Sequence, residues 1–305
     1  MKLSMISDCW AHLDRETVFK KMQSYQIDGW EITTGNWSQA PHFDLDTFLH
    51  SRDEQKRLSE QLEQYELVIP ALNCSGNPVH YPEHLEVTRK TFAAAQILNV
   101  KKIVMMSGLP AGCKEDQTPC WITTSWPPET QTILRYQWED VLIPFWEDLT
   151  REAASYGIKR IALENHGFQL VYNVETLFKL RSAVGSMIGL NLDPSHMFWM
   201  DVDPISAARE LGDAIYHVHL KDTRIENRKA DCHGLLDTKT IDQFADRSWN
   251  YVAVGAGHDV TWWRTFLSTV YMQGYDDFFS LEMEDLTVDA DTGVKWSMDT
   301  INQCR

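Results

Sequence analysis

The chain has 305 residues, 43% hydrophobic and 24% charged, enough to bury a large core without disulfide or metal staples. Its 28 Lys and Arg against 44 Asp and Glu give a formal net charge of −16, a surface that repels phosphate backbones and anionic lipid and so argues against nucleic-acid and membrane partners. No stretch approaches the ~20 apolar residues of a membrane span, Asp8 arrives before a signal-peptide apolar region forms, and the six scattered cysteines include no Cys-x-x-Cys pair, so the expectation is a cytoplasmic protein with reduced thiols.

In chain order, Leu3–Ile6 is a short apolar run that reads as a strand. Val18, Phe19, Met22 and Tyr25 follow at helical spacing, with Asp14 placed to cap that helix. Gly29–Thr33 and Val68–Leu72 read as the second and third strands. Leu85, Phe92, Ala95 and Leu98 form a second helical stripe, opened by Pro82, whose fixed φ suits a first turn. After a fourth strand at Ile103–Met106, the stretch Glu129 to Tyr156 is helical in composition, but Pro144 must kink or break it. The strands Arg160–Glu164, Ile188–Leu192, Ile215–Leu220 and Phe278–Met283 complete the set, with helices expected at Val174–Ala183, Pro204–Leu211, Thr261–Met272 and Ala290–Asn302.

Eight strands alternating with helices imply parallel pairing through right-handed crossovers, the pattern of a (β/α)8 TIM barrel filling residues 1–305 as one catalytic domain. An open doubly wound sheet also alternates, but no Gly-x-Gly-x-x-Gly turn follows the first strand. Two connections are long, Ser107 to Pro128 after strand 4 and Thr223 to Val260 after strand 7. Both leave the end of the barrel where active sites are built, and both carry aromatics: Trp121, Trp126, Trp249 and Tyr251.

The last four strands end in Ala162-Leu-Glu-Asn-His166, Asn191-Leu-Asp-Pro-Ser-His196, His217-Val-His-Leu-Lys-Asp222 and Ser280-Leu-Glu-Met-Glu-Asp285. Side chains alternate along a strand, so Leu163, Leu192, Val218, Leu220 and Leu281 face the outer helices while Glu164, Asp193, His219 and Glu282 face the axis. Three carboxylates and one imidazole at one rim repel each other unless a cation sits among them. A set this rich in oxygen suits Mn2+, Mg2+ or Co2+ better than a thiolate-type zinc site. Around it lie His166, two residues beyond Glu164, and His196, three beyond Asp193. Lys221 shares the face of His219, Arg224 lies in the loop beyond, and His258 sits in the glycine-rich turn Val254-Gly-Ala-Gly-His. A neutral imidazole suits acid–base work, and Lys221 or Arg224 suits the polarisation of a carbonyl. His217 reads as a deeper core histidine, and Lys221 has the plainer reading of a partner for a ligand carboxylate.

These stretches, together with Glu164-Asn-His-Gly-Phe, Val171-Tyr-Asn-Val-Glu-Thr-Leu, Gly257-His-Asp and Gly274-Tyr-Asp, resemble the sugar phosphate isomerase/epimerase superfamily, the xylose-isomerase-like TIM barrels. The resemblance implies that Glu164, Asp193, His219 and Glu282 bind a divalent metal, often Mn2+, and that Glu164 and Glu282 carry protons between adjacent carbons of a sugar. The long loops resemble those of a subgroup that includes the α subunits of C-glycoside deglycosidases. Membership there implies a lyase that cleaves the C–C glycosidic bond of 3-oxo-C-glycosides by β-elimination, with His166 as acid–base group and a small β subunit as partner in a hetero-oligomer. The alternative within the superfamily is an aldose–ketose isomerase or 3-epimerase with the same ligands and no partner. Apurinic-site endonucleases share the barrel, but the −16 charge argues against DNA.

Overall fold

The computed structural model describes all 305 residues, Met1–Arg305. Ten strands form: β1 (Lys2–Ile6), β2 (Gly29–Thr33), β3 (Leu72–Asn73), β4 (Lys102–Met105), β5 (Arg160–Glu164), β6 (Ile188–Leu192), β7 (Ile215–Leu220), β8 (Asp222–Ile225), β9 (Trp249–Val252) and β10 (Phe278–Leu281). Eight of them close into a parallel barrel in the order β1-β10-β7-β6-β5-β4-β3-β2, the (β/α)8 architecture expected from the alternation.

Internal packing divides the chain into two compact units. The first comprises 1–31, 63–68 and 192–305. Its strands pair in register, Ser4 beside Gly29 and Ser280, and Ser280 beside His219. The second comprises 32–62 and 69–191, with β4 between β3 and β5, and Glu164 opposite Asn191 where β5 meets β6. The helices follow the apolar stripes. Asp14 accepts a bond from the Thr17 amide at 3.0 Å and caps the helix Arg15–Ser24, which buries Val18, Phe19 and Met22. Pro82 opens the helix Pro82–Leu98, and Asn99 ends it in the left-handed conformation with φ 56°.

Three elements depart from the expectation. The third strand shrinks to Leu72–Asn73, because Pro70 has no amide hydrogen to give to a ladder and Val68 makes only an isolated bridge to Gly29. The stretch 129–156 is not broken at Pro144 but stays helical from Glu129 to Ser155 with a π-helical middle. A π-helical segment, Tyr136–Leu142, joins Glu129–Arg135 to Ile143–Ser155 without a break, and Pro144, which has no amide hydrogen for the helical ladder, stands two residues beyond the π-helical turns. The connection after β7 is folded: β8 and β9 pair antiparallel, Arg224 opposite Asn250, with the helix Asn227–His233 between them. No helix of the structure is long and apolar enough to cross a membrane, and all six cysteines are unbridged.

Candidate metal centre

β7 supplies two histidines to one face. Val218 and Leu220 alternate with His217 and His219, and all four are fully buried. The two rings meet a carboxylate that the sequence reading did not single out, Glu31 on β2. Its Oε2 lies 2.7 Å from His217 Nε2 and its Oε1 3.2 Å from His219 Nε2, with all three side chains at 0% exposure. Burial alone would raise the Glu31 carboxyl, but the two facing imidazoles outweigh it and hold it well below the usual carboxylate range. Glu31 was legible as the one charged residue inside an apolar strand, Gly29-Trp-Glu-Ile-Thr.

With Nε2 engaged, His219 turns Nδ1 toward two further carboxylates. Glu282 Oε2 lies at 2.9 Å and Asp193 Oδ2 at 3.8 Å. Glu282 stands just past the end of β10, where its amide bonds the Leu220 carbonyl at 3.2 Å and so ties β10 to the end of β7. Asp193 caps the helix Pro194–Trp199, accepting the Ser195 amide at 2.8 Å. One turn along that helix, His196 sets Nε2 3.2 Å from Asp193 Oδ2, while its Nδ1 meets the Tyr251 hydroxyl of β9 at 2.9 Å. Burial would raise Asp193; His196, His219 and Lys221 outweigh it and hold the group well below the usual range. Lys221 is 3% exposed. Its ammonium sits 2.5 Å from Glu284, 3.5 Å from Glu282 and 4.4 Å over the Tyr251 ring. Burial would depress it, but the three carboxylates Glu282, Glu284 and Asp193 raise it well above the ordinary lysine value.

Asp193, His219 and Glu282 each offer a ligand atom, all within 4.8 Å of one another. The donor set fits a hard divalent cation: carboxylate oxygens converge on an imidazole nitrogen whose partner nitrogen is hydrogen-bonded to a carboxylate, the arrangement that orients metal-binding histidines.

The remaining candidates sort by position. Glu164 is buried at the last position of β5, in register with Asn191, which precedes Asp193 by two residues. His166, half-buried, donates Nδ1–H to the Gly167 carbonyl, which leaves the lone pair of a neutral ring on Nε2. Its loop is fastened within the second unit: Gln169 Oε1 accepts the Gly108 amide at 2.8 Å, and Ser107 Oγ accepts the Val171 amide at 2.9 Å. Arg224 stands apart from the cluster, on β8, with its guanidinium 2.9 Å from Glu226. His258 is engaged elsewhere: its Nδ1 meets Asp222 at 2.7 Å and its ring stacks on Phe198 with centroids 3.8 Å apart. Tyr251 and Glu284 join the site unforeseen, because each reaches it through a hairpin or a segment end that no local pattern encodes; for Glu31 the local pattern marked the residue but not its two partners.

Relatives share this architecture. The chain matches the xylose isomerase-like TIM barrel family over residues 19–304. It is 52% identical over 309 residues to the protein YfiH of Bacillus subtilis (strain 168), covering 99% of each. Among solved structures it is similar to the protein IolI with a bound zinc atom, at TM-score 0.68 and 18% identity over 100% of this chain and 98% of that one. It is also similar to the probable 3-DHS dehydratase AsbF of Bacillus anthracis, at TM-score 0.67 and 15% identity over 99% of each chain. A D-tagatose 3-epimerase-like protein aligns at TM-score 0.64 and 20% identity over 99% of this chain and 97% of that one. The structural likenesses establish the fold, and the sequence match establishes the family: the chain belongs to the xylose isomerase-like TIM barrels.

Proposed function

We propose that the chain is a divalent-metal-dependent enzyme that removes the proton beside a carbonyl of a sugar or sugar-derived substrate, with Asp193, His219, Glu282 and, as fourth ligand, Glu164 holding the cation. The observation that carries this reading is the convergence of Asp193, His219 Nδ1 and Glu282 while His219 Nε2 is engaged by Glu31. Mn2+ is the metal of choice, with Mg2+ and Co2+ the alternatives, because the set is mostly oxygen.

A bound divalent cation supplies Lewis acidity that polarises a carbonyl and acidifies the neighbouring C–H. The rest falls to the chain's own side chains. Glu282 and Glu164 are the proton carriers, one on β10's end and one on β5's. Lys221, beside Glu282, stabilises negative charge that builds on a substrate oxygen. His166 presents Nε2 as the group that takes or gives a proton at the substituent. His196, held between Asp193 and Tyr251, keeps the Asp193 carboxylate oriented. A 3-epimerase-like protein and a probable dehydratase are among the structures to which the chain is similar, and this reading accommodates both kinds of reaction.

Two fates of the resulting carbanion separate two readings. Return of the proton makes an aldose–ketose isomerase or a 3-epimerase. Expulsion of a substituent makes a lyase, with the C–C cleavage of 3-oxo-C-glycosides as its specific form and a small β subunit as partner. The lyase reading draws on Trp126, 72% exposed in the loop after β4 and available to stack on an aromatic aglycone. The other loop gives it less: Trp249 is 6% exposed and stacks on Trp199 at 5.0 Å, fastening the hairpin to its own unit.

The test begins with protein stripped by EDTA and titrated with Mn2+. The wild type takes up one ion, and Asp193→Asn takes up none at the same concentration; equal uptake by both overturns the assignment. The reloaded protein is then offered free ketoses and a 3-oxo-C-glucoside in D2O. Metal-dependent deuterium wash-in with the carbon skeleton intact marks the isomerase or epimerase, and release of free aglycone marks the lyase.

A further inference from the structure

We infer that Glu31 is a positioning residue for the metal centre: it commits His219 to present Nδ1, and not Nε2, to the cation. The inference rests on the metal reading proposed above and goes beyond it, since Glu31 is not one of the proposed ligands and acts on one of them through a hydrogen bond.

The geometry is specific. An imidazole has two nitrogens, and the one that is hydrogen-bonded to an acceptor carries the proton and is lost as a ligand. His219 Nε2 lies 3.2 Å from Glu31 Oε1, whereas Nδ1 lies 2.9 Å from Glu282 and 3.8 Å from Asp193. A carboxylate is an acceptor only; the Nε2–Glu31 pair has hydrogen-bond geometry, whereas Glu282 Oε2, though close to Nδ1, makes no hydrogen bond, so the proton belongs on Nε2 and Nδ1 is left to face the other two carboxylates. The second oxygen of Glu31 is bonded to His217 Nε2 at 2.7 Å, which stops the carboxylate from rotating away. His217 therefore has a task that its burial alone would not give it: it is the anchor of the anchor.

The backbone explains how a carboxylate on β2 reaches a ring on β7. Between them in the barrel order stand β1 and β10. At the level of His219 the register runs through Ser280 and Ser4 to Gly29, three small residues, while Glu31, two residues beyond Gly29, is level with Ile6. Gly29 is held small, since a Cβ there would come within 2.9 Å of the Phe278 ring and 3.1 Å of Ser4 Cβ.

Glu31, His217 and His219 also lie close enough to form a metal trio of their own. The pairwise geometry favours hydrogen bonding: one anion sits between two rings, each of its oxygens used once, and no side chain of the three is exposed. Carboxylate partners of this kind typically change metal affinity about 10- to 100-fold when removed.

Co2+ serves as the probe, in full-length protein stripped of metal. Wild type, Glu31→Gln, His217→Gln and Asp193→Asn are compared by calorimetric titration, by the d–d absorption of the Co2+ site and by proton NMR of the Co2+-loaded protein. In wild type, one hyperfine-shifted imidazole N–H, the Nε2 proton of His219, exchanges slowly with solvent. Glu31→Gln, of equal shape, weakens Co2+ by about 10- to 100-fold, shifts the absorption bands and speeds that exchange, while circular dichroism stays unchanged. Glu31→Asp, which keeps the charge on a shorter arm, recovers part of the affinity and serves as the second variant where Glu31→Gln does not fold. His217→Gln shows a smaller loss than Glu31→Gln, and Asp193→Asn loses the ion. Binding and spectra of Glu31→Gln that match wild type overturn the inference alone. Loss of Co2+ in His217→Gln with retention in Asp193→Asn would place the ion among Glu31, His217 and His219 and overturn it too. A wild type that binds no Co2+ overturns the metal reading and the inference with it.

Discussion

Two buried carboxylates of the same unit are saturated in opposite ways. Asp222 Oδ2 accepts the amides of Gly255, Gly257 and His258 at 3.0–3.1 Å and the Trp263 indole at 3.2 Å. Its Oδ1 accepts the Thr223 amide at 2.8 Å and His258 Nδ1 at 2.7 Å. Most of these donors are backbone groups that neither ionise nor move, and the glycines allow them to crowd in. A Cβ at Gly257 would sit 2.3 Å from the Thr223 carbonyl, and Gly255 adopts φ 97°. Glu31, by contrast, meets two side chains that can change proton or metal state. Fixed dipoles make a structural knot; exchangeable partners make a centre whose chemistry can be tuned. The difference separates two groups of histidines that the sequence presents alike, His196 and His219 at the cluster and His258 at the knot.

The sharpest break of this contrast is catalytic. Glu282→Gln keeps the shape of a side chain at the cluster but removes its charge and its capacity to carry a proton. Turnover should fall by roughly 10²- to 10⁴-fold, with thermal stability close to wild type, as measured by the substrate assay beside a thermal melt. Glu164→Gln should match it in direction and size. Full turnover in either variant would remove that carboxylate from the machinery.

The converse substitution is Asp222→Ala. It leaves amides of Gly255, Gly257 and His258 without their acceptor in a buried turn, and loss of one partner of a buried charged network costs about 3–5 kcal/mol. Urea denaturation should show that loss, while Co2+ affinity of the folded fraction stays near wild type. An equal loss of metal affinity would join the knot to the centre and dissolve the distinction.

Much of the barrel was legible because its signals are local. The alternation of short apolar runs with 3.6-residue stripes places seven of the eight barrel strands within a few residues, and Asp14 and Pro82 stand where helices begin. The ligand candidates were legible for a related reason: strand parity carries Asp193, His219 and Glu282 to one end. What escaped is what depends on pairs distant in sequence. Glu31 lies 186 residues from His217, so nothing in either neighbourhood announces the bond. The hairpin β8–β9 was read as loop, since its strands are four residues each and separated by a helix and turns of their own. Tyr251 and Glu284 enter the site only through that hairpin and the segment after β10.

A smaller effect tests where His258 belongs. His258→Gln removes the 2.7 Å bond to Asp222 and the stack on Phe198. A hydrogen bond to a charged group contributes about 1.5–3 kcal/mol, so the variant should lose stability of that order while kcat stays unchanged. A fall in kcat with stability intact would move His258 from the knot to the substrate.

The gentlest probe is pH, applied to a third carboxylate of the structural kind. Asp237, in the insertion between β8 and β9, accepts the Ser248 amide at 2.7 Å, the Lys239 amide at 2.9 Å and the Lys239 ammonium at 3.0 Å. Partial burial would raise its carboxyl, but the bonds from Lys239 and Ser248 prevail and bring it from an ordinary 3.8 down to about 2. A depressed folded value means that the charged form is the one the fold holds. Its contribution is therefore complete above pH 3.8 and fades as pH falls toward and through about 2. Limited digestion with an acid-stable protease should find residues 235–248 increasingly open to cleavage over that window, before the barrel yields. Asp237→Asn should show the same opening at neutral pH, because the amide keeps the shape and loses the charge, and little further change on acidification. A wild-type insertion equally protected throughout the window would mean that packing by Trp249 on Trp199, and not the Asp237 bonds, secures the hairpin.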